Sequence, residues 1–254
     1  MEQPTRRAGI SGPTLVRLLA RLSSADIPAS RLPLSDRLSQ WLGWTDAIAL
    51  AAALDGNAPV VPAHTRTFDD EQSRECARVR AALQDAIVRD SAVPSATPLR
   101  HARNKTPAEP TEPEFGTYRQ RYISLQHTME TNIGNLRSRL RGLLAGKTPE
   151  GTGLAVLDAI MDRALITRER SLMGTVPFLL QGHFERLRNA ARAERAEAEA
   201  AQAPVPAIDA WLPVFLADMR SVLLAELDVR LQPVEGLIAT LRASAGEQTL
   251  NKKT

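Results

Sequence analysis

Three groups of side chains have types and spacings that could do chemistry. The first is Gly142-Leu143-Leu144-Ala145-Gly146-Lys147-Thr148, which ends like a phosphate-binding loop. That motif needs four residues between its glycines, so that backbone N–H groups can wrap a phosphate, and it follows a strand. Here three residues lie between the glycines, Arg141 stands at the correct distance, and the run closes a helical pattern. A helix stop followed by a new cap is the reading it supports. The second group is the histidines, His64, His101, His127 and His183. None pairs with another histidine or a cysteine at metal-ligand spacing, and His183 beside Glu185 reads as a surface pair. Neither a nucleophile elbow nor a dinucleotide fingerprint occurs. The sequence therefore predicts no catalytic residue, no metal site and no cofactor. It points to a non-enzymatic protein, with an enzyme built from dispersed residues as the least favoured alternative.

The third group is the arginines. They make up 28 of the 32 basic residues, a bias that reflects coding composition, and the net charge is only +3. Residues 1–90 are balanced with 11 basic and 11 acidic side chains, whereas residues 114–147 hold six basic and two acidic. The whole positive excess therefore lies on one segment. That segment carries Phe115, Tyr118, Tyr122, Leu125, Met129, Ile133, Leu136, Leu140, Leu143 and Leu144 at spacings of three and four, the stripe of an amphipathic helix or coiled-coil seam. On a helical wheel Arg119, Arg137 and Arg141 border the stripe on one side, and Arg121 and Arg139 border it on the other. Flanking charges of this kind select a partner helix. A nucleic-acid helix gathers its basic groups on the exposed face, so this placement argues against the alternative of a nucleic-acid partner. Arg119, Arg121, Arg137, Arg139 and Arg141, with Tyr122, Met129 and Leu136 of the seam, are the candidate partner-binding residues. Glu194, Glu197 and Glu199 are the candidate acceptors within the chain, and an acidic partner is the external candidate.

The elements that position these groups are all helical. Ser11, Ser35 and Thr45 can cap three short helices, which carry Leu15, Leu18, Leu19 and Leu22; then Leu38, Trp41 and Leu42; then Ile48, Leu50 and Leu54. A fourth helix opens at Thr67 and runs to about Arg89, with Cys76 in register with Val79, Leu83 and Ile87 as a buried small hydrophobe. Leu34–Leu54 could be taken for a DNA-binding helix-turn-helix, but its reading helix offers no Arg, Lys, Asn or Gln to a base edge. Residues 91–113 hold Pro94, Pro98, Pro107, Pro110 and Pro113 among polar side chains, the composition of a flexible linker.

Beyond it the spacing predicts a long helix over 114–145. A second stripe follows from Leu154 to Leu172, and Pro177 either kinks that helix or separates two. The Phe178–Leu187 segment fades into an apolar-poor stretch, Arg192–Gln202, which is solvated or completed by a partner. The last helix opens at Asp209, with Pro233 predicting a kink. The fold expected is all-α: an elongated antiparallel bundle or coiled-coil body (114–245), a small N-terminal module (1–90) with Trp41 and Trp44 in its core, the linker (91–113), and a disordered tail (246–254). No apolar signal core follows Met1–Ser11, and the longest apolar run, Ala47–Leu54, covers about a third of a bilayer. A cytoplasmic location without membrane insertion is expected.

Two stretches carry a resemblance. Ser11-Gly12-Pro13-Thr14-Leu15-Val16-Arg17-Leu18-Leu19-Ala20-Arg21-Leu22 and Leu34-Ser35-Asp36-Arg37-Leu38-Ser39-Gln40-Trp41-Leu42-Gly43-Trp44-Thr45-Asp46-Ala47-Ile48 resemble the start of an uncharacterised proteobacterial family, domain of unknown function 3348. That family has no assigned activity, so the resemblance assigns no functional residue. Its genes lie beside those for a coiled-coil membrane protein and an OmpA-like peptidoglycan-binding protein. The resemblance thus implies a cytoplasmic accessory to an envelope-spanning assembly. Together the readings point to a helical scaffold or adaptor that self-associates or binds another helical protein.

Overall fold

A computed structural model describes residues 13–23, 33–55, 70–92, 112–146 and 148–251. Among these residues there are eight helices and no strand: α1 (Thr14–Ser23), α2 (Leu34–Trp41), α3 (Trp44–Leu54), α4 (Asp70–Ala92), α5 (Phe115–Ala145), α6 (Pro149–Met173), α7 (Val176–Ala200) and α8 (Leu212–Asn251). No helix among them is long and apolar enough to cross a membrane.

Helix boundaries follow local chemistry, with several differences from expectation. The residue before α2 is Pro33 and the residue before α3 is Gly43, neither giving a side-chain cap; Ser35 and Thr45 therefore lie inside their helices. The Ser35 hydroxyl instead donates to the Asp36 carboxylate at 3.2 Å. Ser11, Thr67 and most of the 91–113 segment lie outside the described residues. Pro177 does not bend a continuous helix: α6 closes at Gly174, whose N–H donates to the Arg170 carbonyl, and α7 opens at Val176. Proline in a first turn has no helical partner to lose. α8 continues across Pro233 and runs on to Asn251, so the tail is helical beyond Gly246. An internal glycine costs a helix less than about 1 kcal/mol, and Glu247, Gln248 and Leu250 favour continuation.

The chain forms two compact units, each drawn from separate segments. Neither matches residues 1–90 or 114–245, because each takes helices from both sides of 91–113. The first comprises α1, the end of α4 from Ile87, α5 to Tyr122, α7, and α8 to Val229. Its core is aromatic: Phe184 meets Phe215 edge-on at 5.0 Å between ring centres and Trp211 at 4.7 Å, while Phe115 and Tyr118 close the cluster from α5. Each such pair adds about 0.5–1.5 kcal/mol beyond burial of its area. α1 packs on α7, burying Leu15 and Leu22.

The second unit comprises α2, α3, α4 to Ala86, α5 from Ile123, α6, and α8 from Arg230. Within it α5 and α6 are antiparallel. Thr152 bonds the Ala145 carbonyl, Arg141 meets Asp158 and Asp162, Glu130 meets Arg170, and Gln126 meets the Met173 carbonyl. The tight turn between them needs Gly151, because a Cβ there would lie 2.6 Å from the Leu144 carbonyl oxygen.

Candidate protein-interaction site

The arginines that border the α5 seam come first, because their pairing decides what α5 can bind. Arg137 and Arg141 are four residues apart and share a helix face, as do Asp158 and Asp162 on α6. The antiparallel packing sets these faces together. Arg137 donates through Nε and Nη2 to the two oxygens of Asp158, at 2.9 and 2.6 Å, and through Nη1 to Asp162 at 2.6 Å. Arg141 Nη1 reaches Asp162 at 2.8 Å and Asp158 at 3.2 Å. Burial alone would pull the Arg137 guanidinium down, but the hydrogen bond and charge of Asp158, backed by Asp162 and Glu169, raise it above its ordinary value.

The other flank is also engaged within the chain. Arg121 bonds the Asp90 carboxylate at 3.2 Å and the Asp90 carbonyl at 3.0 Å, and Arg139 pairs with Glu75. Arg119 is exposed and has no ion pair among the described residues. The acceptors are therefore on α6 and α4, not at Glu194, Glu197 and Glu199. The reason is geometric: a short connection lays α6 against the half of α5 that holds Arg137 and Arg141. Four of the five arginines have protein carboxylates in place of the phosphates a nucleic acid would offer.

The seam itself is filled. Tyr122, Met129 and Leu136 are each at most 1% exposed, so they hold the chain together and are closed to an outside helix. Tyr122 donates its hydroxyl to Glu226 at 2.6 Å, and Glu226 is the one buried charged residue among those described. A buried carboxylate requires such a donor.

An open apolar surface lies on α3. None of its residues is buried. Trp44 is 83% exposed, Ile48 54% and Leu54 67%, with exposed Ala47, Ala51 and Ala52 between them. The opposite side rests on α6, where Asp46 accepts from Arg163 at 2.8 Å. On α2, Trp41 is half-buried with the Arg168 guanidinium 5.6 Å from its ring centre. The expectation that Trp41 and Trp44 share a core is corrected: Trp44 faces outward. α3 is apolar nearly all round, the pattern of a helix covered on every side, yet the described residues cover one. Its hydrophobicity was legible in the sequence. Which face lay outward was not, because an all-round apolar helix has no polar side to orient it.

The remaining chemistry-bearing groups have local roles. Thr148 caps α6, its side-chain oxygen accepting from the Gly151 N–H at 3.0 Å, and Gly142 through Ala145 are the last turn of α5. The near-phosphate-loop run is thus a helix end and a new cap, with Lys147 outside the described residues. His183 contacts Asp218 at 2.9 Å rather than Glu185, which pairs with Arg188. His127 is exposed, and His64 and His101 lie outside the described residues. Among the described residues no group of three or more His, Cys, Asp or Glu side chains is arranged to hold a metal ion.

The chain belongs to the family described as protein of unknown function (DUF3348), whose model matches residues 1–243. No curated protein and no solved structure matches it significantly.

Proposed function

We propose, on the premise of that family membership, that this protein is a non-enzymatic helical adaptor and that its docking surface is the outer face of α3. One observation carries the reading: Trp44, Ile48 and Leu54 stand exposed on one short helix, with exposed Ala47, Ala51 and Ala52 between them. Together they offer on the order of 500 Å² of apolar surface, near the upper end of what single chains leave bare. Such a patch falls short of the roughly 800 Å² per partner that a stable dimer interface needs. It suits one amphipathic helix of a partner protein, laid across the patch with its apolar face inward. Trp44 would be the anchor, since tryptophan dominates interface energetics when it becomes fully desolvated. The family resemblance adds the finer expectation of a cytoplasmic accessory to an envelope-spanning assembly.

The test is photo-crosslinking in the native host from a reactive residue placed at Ile48, with the crosslinked peptides identified. Crosslinks to one helical segment of another protein, lost in Trp44→Glu, are expected. Crosslinks only to residues 24–32 or 56–69 of the same chain, only to a second copy, or to nothing would overturn the proposal.

A further inference from the structure

A second surface, within the first unit, has a different chemistry. Arg188, Arg192 and Arg195 recur at spacings of four and three, so they share one face of α7. With Glu112, Ile208 and Trp211 they line a cavity of about 160 Å³. Arg192 holds the Glu112 carboxylate in a two-pronged contact, Nε to Oε1 at 2.8 Å and Nη2 to Oε2. Arg195 donates to the Pro206 carbonyl and Arg188 to Glu185. The floor is Trp211, 7% exposed, its indole N–H turned to the Ile208 carbonyl at 3.2 Å.

Two features mark the cavity as a binding site rather than a local ion pair. The first is a surplus of donors: three guanidinium groups meet one carboxylate from Glu112, with Glu185 beside Arg188, and the Arg188 Nε–H is buried without a hydrogen-bond partner. The second is the nature of the occupant. Glu112 belongs to the non-helical stretch Glu112-Pro113-Glu114 that precedes α5, so Arg192 in the cavity wall already holds a glutamate from a proline-bordered, non-helical segment. The Glu112 carboxyl lies below its usual range, chiefly through its hydrogen bond to Arg192, which with the charges of Arg192, Arg188 and Arg195 outweighs the opposing effect of burial. Arg192 is nevertheless 55% exposed, and a pair so open to water adds little stability. The occupant is therefore displaceable.

We infer that this cavity is a site for an acidic, extended peptide, held in cis by Glu112 and taken by a glutamate-bearing segment of another protein when that segment displaces Glu112. Charge complementarity selects the ligand: planar guanidinium forks match a carboxylate through two parallel bonds, and Trp211 and Ile208 supply an apolar wall for the stem. The cis residue competes as a tethered ligand at high effective concentration, so it weakens any ligand in trans without altering the site itself.

The experiment uses the full chain and a synthetic peptide of sequence Glu-Pro-Thr-Glu-Pro-Glu, that of residues 109–114, titrated calorimetrically at low and physiological salt. Glu112→Gln should bind the peptide at least about tenfold more tightly than the unmodified chain. Adding Arg192→Gln or, separately, Arg195→Gln should remove that binding. Circular dichroism melts matching the unmodified chain show that these surface variants are folded. Three results would each overturn the proposal: no binding by Glu112→Gln at millimolar peptide, binding indifferent to Arg192 and Arg195, or inorganic phosphate binding as tightly as the peptide.

Discussion

Replacing Arg137 tests whether the α5 seam is closed within the chain. Arg137→Met keeps the aliphatic stem that packs along the helix and removes the guanidinium that bonds both Asp158 and Asp162. The three side chains are 13%, 17% and 27% exposed, between the limits of a surface pair, worth about 0–1 kcal/mol, and a buried one, whose disruption costs about 3–5 kcal/mol. Arg141 remains to hold both carboxylates in part. The expected loss is therefore about 2 kcal/mol, roughly a thirtyfold change in the folding equilibrium. In a chain of this size that lowers the melting midpoint by about 4–8 °C. The assay is urea unfolding followed by circular dichroism, for the single variants Arg137→Met and Asp158→Asn and for the double variant. The double-mutant cycle should give a coupling of about 1–2 kcal/mol. The loss should also be the same at two protein concentrations about a hundredfold apart, because an internal pair has no mass-action term. A loss below about 0.5 kcal/mol with no coupling, or one that grows on dilution, would refute the internal pairing and return these arginines to a partner.

Three further outcomes follow from the same geometry. Gly151→Ala should destabilise the chain by about 1–3 kcal/mol in urea unfolding, since its Cβ would meet the Leu144 carbonyl oxygen at 2.6 Å; Gly134→Ala, where nothing lies within 4 Å, should instead stabilise it by about 0.5–1 kcal/mol. Thr148→Ala removes the α6 cap and should cost about 1 kcal/mol in the same assay. The Cys76 thiol is raised above its ordinary value, chiefly by burial, so iodoacetamide should alkylate it several-fold more slowly in the folded chain than in urea at pH 8. The sign for stability follows: the folded state favours the neutral thiol, a contribution present below the unfolded pKa and lost as pH rises through the folded one.

The sequence was a good guide to elements and a poor one to neighbours. The stripe from Phe115 to Leu144 is a helix over nearly the expected residues, and most of its apolar positions are buried. Periodicity is a local property, so one segment suffices to reveal it. The partners of Arg137 and Arg141 are a different matter: the expected acceptors were Glu194, Glu197 and Glu199, and only chain geometry brings Asp158 and Asp162 within reach instead. The three-arginine cavity left a faint trace, the 188, 192 and 195 spacing, whose last two arginines lie in the Arg192–Gln202 stretch read as solvated or completed by a partner. Nothing in that spacing foretold that Glu112 and Trp211 would meet it.

By itself the sequence determined an all-helical chain, the family to which it belongs, and one helix carrying its positive excess beside an apolar seam. These depend on composition and on spacings within single segments. The tertiary structure decided that the seam is buried, that four of its five arginines pair with carboxylates of α6 and α4, and that α3 turns Trp44, Ile48 and Leu54 to solvent. Those outcomes depend on which segments become neighbours. A pattern of three and four records that a helix has a buried face, but not what buries it.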